Sequence, residues 1–162
     1  MQYYRPEDIE KRSFEIIRSE MSTNPLPEQL PVIMRVIHTT ADFDYETSLV
    51  FSGNAITRAD EAIRGGAMFI TDTNMALSGI NKKALEQTDC SAVCYMADKD
   101  VAEEAARRGV TRATVSMERA AALCGRPLVF VIGNAPTALL RLADLIEEGN
   151  VEAARALKRT RY

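Results

Sequence analysis

The sequence predicts an α/β fold: a three-layer α/β/α sandwich around a mostly parallel, doubly wound sheet. From about residue 48 onward, short β-prone runs alternate with amphipathic helical patterns, which is the element order of consecutive βα units. The runs at 67–71, 92–96 and 128–132 are apolar at successive positions, as expected for strands that helices cover on both faces.

Composition favours a single domain over residues 1–162. The chain is 46% apolar and 27% charged, with a formal net charge of −3, which is typical of a soluble globular domain. This balance argues against general affinity for nucleic acid, so an anionic small ligand would need individually placed arginines. No apolar run approaches the ~20 residues that span a bilayer, and the N-terminus carries no signal pattern. We therefore expect a cytoplasmic protein without a membrane partner.

Residues 1–45 predict an N-terminal helical segment that packs on the sheet. A stripe of apolar residues and an early proline, Pro6, predict a helix over 6–21. The proline-containing break at 22–27 ends it. A second apolar stripe predicts another helix that begins near Leu30.

The rest of the chain predicts strands and helices in alternation. Strand-like runs occur at 48–51, 67–71, 92–96 and 128–132. Helical patterns occur at 57–64, 81–87, 98–108 and 136–148. The segment 110–115 fits either a strand or a helix.

The only histidine, His38, is the candidate for proton chemistry near neutral pH. Arg35 lies three residues before it and Asp42 four residues after it. If the helix continues past His38, Asp42 would lie on the same side and could fix the imidazole tautomer. The alternative is a partly buried histidine whose ring is satisfied by a backbone carbonyl.

Polar segments follow two of the predicted strands, where open α/β sheets bind their ligands. Residues 71–80 are rich in hydroxyl and amide side chains, and residues 133–137 open a helix whose free N–H groups could hold an anion. The alternative for the second segment is an ordinary helix start with Asn134 near its N-cap. Neither segment has the glycine spacing of a dinucleotide fingerprint or of a Walker loop.

The cysteines predict neither a disulfide framework nor a metal site. The chain has an odd number of cysteines, namely Cys90, Cys94 and Cys124. No second cysteine pair or nearby histidine completes a set of zinc ligands. We expect reduced thiols and no bound metal.

Four motifs carry a resemblance to a known family, and a shorter one supports them. The motifs are Ser13–Ile17, Arg35–Asp44, Thr71–Asn81 and Gly133–Leu139, with Gly109–Arg112 as the shorter match. In this order and spacing the chain resembles the precorrin-8X methylmutases, including their cobalt-precorrin-8 members, over nearly its whole length. This resemblance implies a flavodoxin-like fold, a homodimer and no cofactor.

The resemblance also implies an activity. It is that of an isomerase of cobalamin biosynthesis, which moves a methyl group from C-11 to C-12 of a tetrapyrrole to give hydrogenobyrinic or cobyrinic acid. His38 matches the histidine that protonates the macrocycle. The positions that match substrate-binding segments are Ser13, Arg35, Thr39, Thr73, Asn74, Met75, Ile80, Arg112, Asn134 and Thr137.

The chain departs from the family at its C-terminal end. Residues 150–162 diverge, and the strand and helix with which family members continue are not recognisable. This leaves as an alternative a catalytically impaired corrinoid-binding protein that lacks the C-terminal wall of the active site. A phosphate or nucleotide binder of similar fold is the third possibility, and the presence of cobalt in the substrate stays open.

Overall fold

The computed structural model describes residues 5–133 and 136–149. The chain divides into two compact units, Met1–Arg58 and Ala59–Tyr162. Within the described ranges, no helix is both long enough and apolar enough to cross a bilayer.

The first unit is helical. Its elements are α1 (Pro6–Glu20), α2 (Leu30–Thr40) and α3 (Tyr45–Ser48), followed by the start of α4 (Ala55–Arg64). Both predicted N-terminal helices are therefore confirmed. Ile17 of α1 packs against Ile33 and Ile37 of α2, and Ile37 is only 1% exposed.

The second unit contains a parallel sheet. After α4 its elements are β1 (Met68–Thr71), α5 (Asn74–Gly79), α6 (Lys82–Gln87), β2 (Ser91–Val93), α7 (Lys99–Arg108), α8 (Arg112–Ala121), β3 (Leu128–Val131) and α9 (Pro136–Glu147). In the described residues the strand order is β2-β1-β3, with every pair parallel.

The central strand β1 makes the fold doubly wound. The chain leaves β1 toward β2 and then returns across the sheet to β3, so the direction of winding reverses at β1. The carboxyl ends of β1 and β3 therefore flank the switch point, where folds of this class bind ligands. The predicted α/β class with a parallel, doubly wound sheet is confirmed.

The core of the second unit joins one sheet face to two helices. Ile70 of β1 is fully buried against Met117 of α8 and Leu142 of α9. Small residues let these helices approach closely, among them Ala120 and Ala138, both fully buried.

Arg126 ties together the amino-terminal ends of the strands. Its guanidinium donates to the carbonyls of Gly66 and Asp89, each at 2.7 Å, and to the Ser91 hydroxyl at 3.2 Å. Gly66 has a φ of +67°, and a Cβ there would lie 3.1 Å from the Asp89 carbonyl oxygen. Position 66 therefore needs glycine. The sequence pattern did not identify this contact.

The strand predicted at 48–51 is wrong, and two segments that the sequence left open are helical. The run 48–51 forms no strand: Ser48 ends α3, and Val50 is 90% exposed, so its apolar side chain faces no core. Residues 74–79 form α5, because the Thr73 side chain accepts from the Ala76 N–H and caps a helix start. The ambiguous segment 110–115 begins α8, capped in the same way by Thr111.

Candidate active site

His38 lies in the last turn of α2, half-buried, and contacts α1. Its Nδ1 is 2.8 Å from the Ser13 hydroxyl oxygen. Among the described residues, no other hydrogen bond to the ring occurs, so Nε2 has no hydrogen-bond partner there. Packing of Ile17 against Ile37 holds the two helices together and brings these side chains within reach.

Phe14 and Arg35 continue the contact. The Phe14 ring lies 5.2 Å from the His38 ring, centroid to centroid, at an interplanar angle of 54°. The Arg35 guanidinium carbon lies 4.8 Å from the centroid of Phe14, within cation–π distance. Arg35 also forms an ion pair with Glu10 of α1. Its charge is thus already partnered inside the first unit.

An open groove of about 390 Å³ runs beside the histidine. Its surface is mostly apolar, and the Ser13–His38 pair forms part of its wall. The other lining residues are Ile9, Arg12, Ile16, Ile17, Glu20, Ile37, Ala41 and Phe43. Ile9 and Ile16 are 54% and 45% exposed. A mostly apolar groove with a few polar side chains is typical of a small-molecule site.

Asp42 does not take the position that helix periodicity predicted. Ala41 ends α2 in the left-handed region, at φ +55°, so Asp42 is outside the helix. Its carboxylate instead accepts from the backbone N–H of Asp44 at 2.9 Å. The partner of the imidazole is therefore Ser13 of the other helix, and the predicted contact with Asp42 was wrong.

Thr39, another predicted substrate contact, is exposed. Its hydroxyl donates to the Arg35 carbonyl within α2 at 2.9 Å. The same hydroxyl can still accept from a ligand, because an oxygen that donates one proton keeps its lone pairs.

Glu46 fixes the connection between α1 and α2. Its carboxylate accepts from the backbone N–H groups and hydroxyls of Ser22 and Thr23, at 2.9–3.3 Å. Partial burial alone would raise the pKa of Glu46, but these four hydrogen bonds outweigh it and hold the pKa below 4.5.

In the second unit, the carboxyl end of β1 is organised by three polar residues. Thr71 donates to the Thr73 carbonyl at 3.0 Å and lies 3.5 Å from the Val93 carbonyl of β2. Asp72 is 1% exposed and accepts from the Gly133 N–H at 2.9 Å. Thr73 caps α5. Its hydroxyl therefore already has a structural role.

The remaining predicted residues differ in exposure. Met75 is 82% exposed on α5, while Ile80, directly after that helix, is half-buried. Asn74 and Arg112 are exposed, at the starts of α5 and α8. Thr137 is half-buried in the first turn of α9. Asn134 lies outside the described residues.

The structure thus brings Ser13 and His38 together, with Arg35 nearby across Phe14. Phe14, Glu10 and Asp72 are contacts that the sequence reasoning missed. Phe14 follows Ser13 directly in the first motif, a signal that could have found it. For Asp72 the only signal was a carboxylate directly after a buried strand.

Comparison with known proteins gives consistent matches. A family model described as precorrin-8X methylmutase matches residues 8–158. Cobalt-precorrin-8 methylmutase of Priestia megaterium is 42% identical over 91% of this chain and 66% of its own length. The Salmonella typhimurium protein of the same name is 41% identical over 86% of this chain and 70% of its own length. The chain therefore spans about two thirds of the length of these relatives.

A solved structure agrees. Precorrin-8X methylmutase from Thermus thermophilus superposes with a TM-score of 0.78 at 31% identity, covering 94% of this chain and 82% of that one. Its similarity extends over the elements of both units. With a family model that covers most of the sequence, these matches assign the protein: the chain belongs to the precorrin-8X methylmutase family.

Proposed function

We propose that this chain is an isomerase that moves a methyl group from C-11 to C-12 of a precorrin-8 macrocycle, with His38 as the proton donor. Family membership supports the reaction class. The single observation that carries the catalytic assignment is the position of His38 in the wall of an open, mostly apolar groove.

The reaction requires one proton that the protein donates to the macrocycle and later takes back. Protonation of the conjugated ring lowers the barrier to methyl migration, and the same proton returns once the methyl group has moved. Nε2 of His38 gives and then recovers this proton, so the reaction needs no net acid or base. A positioned acid of this kind contributes roughly 10²–10⁴-fold to a rate.

Binding must neutralise the carboxylates of the substrate. Arg112 is exposed and makes no ion pair among the described residues, which supports it as a bidentate carboxylate ligand. Arg35 also binds a substrate carboxylate, once that carboxylate displaces Glu10 from its ion pair with Arg35. The amide of Asn74, together with Thr39, Asn134 and Thr137, supplies hydrogen bonds, while Met75 and Ile80 provide apolar contact.

The substrate we propose is the cobalt-containing form. The two relatives described above at 42% and 41% identity carry the cobalt-precorrin-8 name, whereas a precorrin-8X methylmutase of Pseudomonas aeruginosa is 32% identical. Anaerobic kinetics with both macrocycles test this choice, and a higher kcat/KM for the metal-free form would contradict it.

Replacement of His38 tests the main proposal. We expect His38→Ala to lower kcat at least 100-fold, within the range of a positioned acid, while the affinity for cobyrinic acid changes little. Formation of the corrin product is followed by absorption spectroscopy, and product affinity by calorimetry. Thr40→Ala, on the same helix and outside the groove lining, is the matched control and should retain full turnover.

The outcomes separate the candidate functions. Undiminished turnover in His38→Ala would overturn the catalytic assignment. A well-folded wild-type chain that binds cobyrinic acid without turning over either macrocycle would instead be a corrinoid-binding protein. Binding of a nucleotide and no tetrapyrrole would reject both.

We also propose a cytoplasmic homodimer, in line with the sequence-based expectations. A large flat ligand often binds where subunits meet. Light scattering of the purified chain measures its mass in solution, and a monomer at all concentrations would contradict the dimer.

A further inference from the structure

We propose that Ser13 is a positioning residue for His38, which keeps one proton on Nδ1 so that the mobile proton is always the one on Nε2. The sequence resemblance assigned Ser13 to substrate binding. The structure places its hydroxyl oxygen 2.8 Å from Nδ1 of the imidazole. The catalytic part of this inference rests on the proposed function.

The Ser13 hydroxyl can accept from Nδ1–H in both ring states that the proposed reaction uses. When the imidazole is charged, its Nδ1–H donates to the Ser13 oxygen. After Nε2 has passed its proton to the macrocycle, the neutral ring keeps Nδ1–H and the same hydrogen bond. The ring therefore does not need to reorient during the cycle.

It also matters that the Ser13 hydroxyl is uncharged. A carboxylate only accepts, and its charge attracts the imidazolium form and holds its proton. Within the described residues no carboxylate hydrogen-bonds His38: Glu10 pairs with Arg35, and Asp42 with the Asp44 N–H. Arg12 and Glu20 are the charged residues of the same groove. A hydroxyl fixes the geometry and leaves the proton free to transfer.

The surroundings reinforce this orientation. The Phe14 ring packs against one side of the imidazole, and α1 and α2 are held together by buried isoleucines. Ring rotation would break both the packing with Phe14 and the bond to Ser13. Two independent contacts from one helix thus hold the histidine of the other.

The first test needs no turnover. His38 is the only histidine, so ¹⁵N-histidine labelling gives ring signals that need no assignment. We expect the wild type to show an Nδ1 proton protected from exchange in the imidazolium state and one dominant neutral tautomer. Ser13→Ala should lose the protected proton and show averaged ring shifts, and Ser13→Thr should restore both. Ring spectra of Ser13→Ala that match the wild type would overturn the proposal.

The second test separates positioning from substrate contact. We expect Ser13→Ala to lower kcat about 10-fold, a part of the roughly 10²–10⁴-fold effect of a positioned acid, with KM unchanged and Ser13→Thr recovering most of the rate. A raised KM with unchanged kcat would assign Ser13 to the substrate instead. Ser19→Ala removes an exposed hydroxyl from the same helix and should alter neither constant.

Failure of the two proposals gives different results. If the wild type turns over neither macrocycle, the proposed function fails, while the ring spectra still decide whether Ser13 fixes the imidazole. If turnover is normal in the wild type and in Ser13→Ala alike, only the positioning role fails. Thermal unfolding of each variant checks that the first unit remains folded.

Discussion

At the scale of single residues, the charge of Arg35 already has partners within the first unit. It pairs with Glu10, lies over Phe14, and its side chain is still 57% exposed. An exposed ion pair contributes little to stability, roughly 0–1 kcal/mol. A substrate carboxylate can therefore displace Glu10 from the ion pair with little loss of stability. Arg35 would then bind the substrate carboxylate instead.

Substitution of Glu10 tests this exchange. We expect Glu10→Gln to lower KM by up to about fivefold, the equivalent of one exposed ion pair, because the competing carboxylate is gone. Arg35→Ala should raise KM. Steady-state kinetics at low ionic strength provide the measurement, and the Glu10 effect should shrink as salt screens the pair. An unchanged KM in both variants would place the substrate carboxylates elsewhere.

At the scale of elements, the carboxyl end of β1 is linked to its neighbours by side chains as well as by the strand ladder. Thr71 contacts the end of β2, Asp72 holds the Gly133 N–H after β3, and Thr73 starts α5. These contacts set the spacing of β1 and β3 at the switch point. The polar character of this segment is thus largely structural in the described residues.

The hydrogen bond between Asp72 and the Gly133 N–H leads to a prediction about stability. Asp72→Ala leaves the Gly133 N–H without its acceptor, so we expect a loss of about 1–3 kcal/mol in the free energy of unfolding. Asp72→Asn keeps a side-chain oxygen at the same position and should lose less. Urea denaturation followed by circular dichroism measures both, and equal losses would show that the hydrogen bond to Gly133 is not what matters.

At the scale of the whole molecule, each unit contains a carboxylate whose pKa is held low by its partners. In the first unit this is Glu46, discussed above. In the second, hydrogen bonds from Arg108 of α7, and then from Arg141 of α9, hold the pKa of Glu118 below 4.5. Glu118 thus links three helices by charge.

Acid should weaken both units for this reason. A carboxyl group with a lower pKa in the folded state stabilises the fold above its unfolded-state pKa, and this contribution is lost as pH falls through the folded value. We expect the melting temperature to drop as pH decreases below about 4.5, and to drop less in Glu46→Gln and Glu118→Gln. Thermal scans from pH 3 to pH 6 test this; slopes equal to the wild type would contradict it.

Local pattern was sufficient for most of the fold. The apolar stripe that predicted α1 and α2, and the apolar runs that predicted β1 and β3, match the structure because burial imposes those periods directly on the sequence. Val50 shows the limit, since an apolar, β-prone residue is 90% exposed there. Composition does not reveal whether a short run has a sheet beside it.

The sequence by itself determined the fold class, the single histidine and the motifs that relate the chain to its family. Only the tertiary structure decided what His38 contacts: Ser13, 25 positions earlier, and not Asp42, four positions later. A left-handed Ala41 ends the helix before Asp42 can reach the ring. Contacts between distant side chains depend on how helices pack, and this information is not contained in the periodicity of either helix alone.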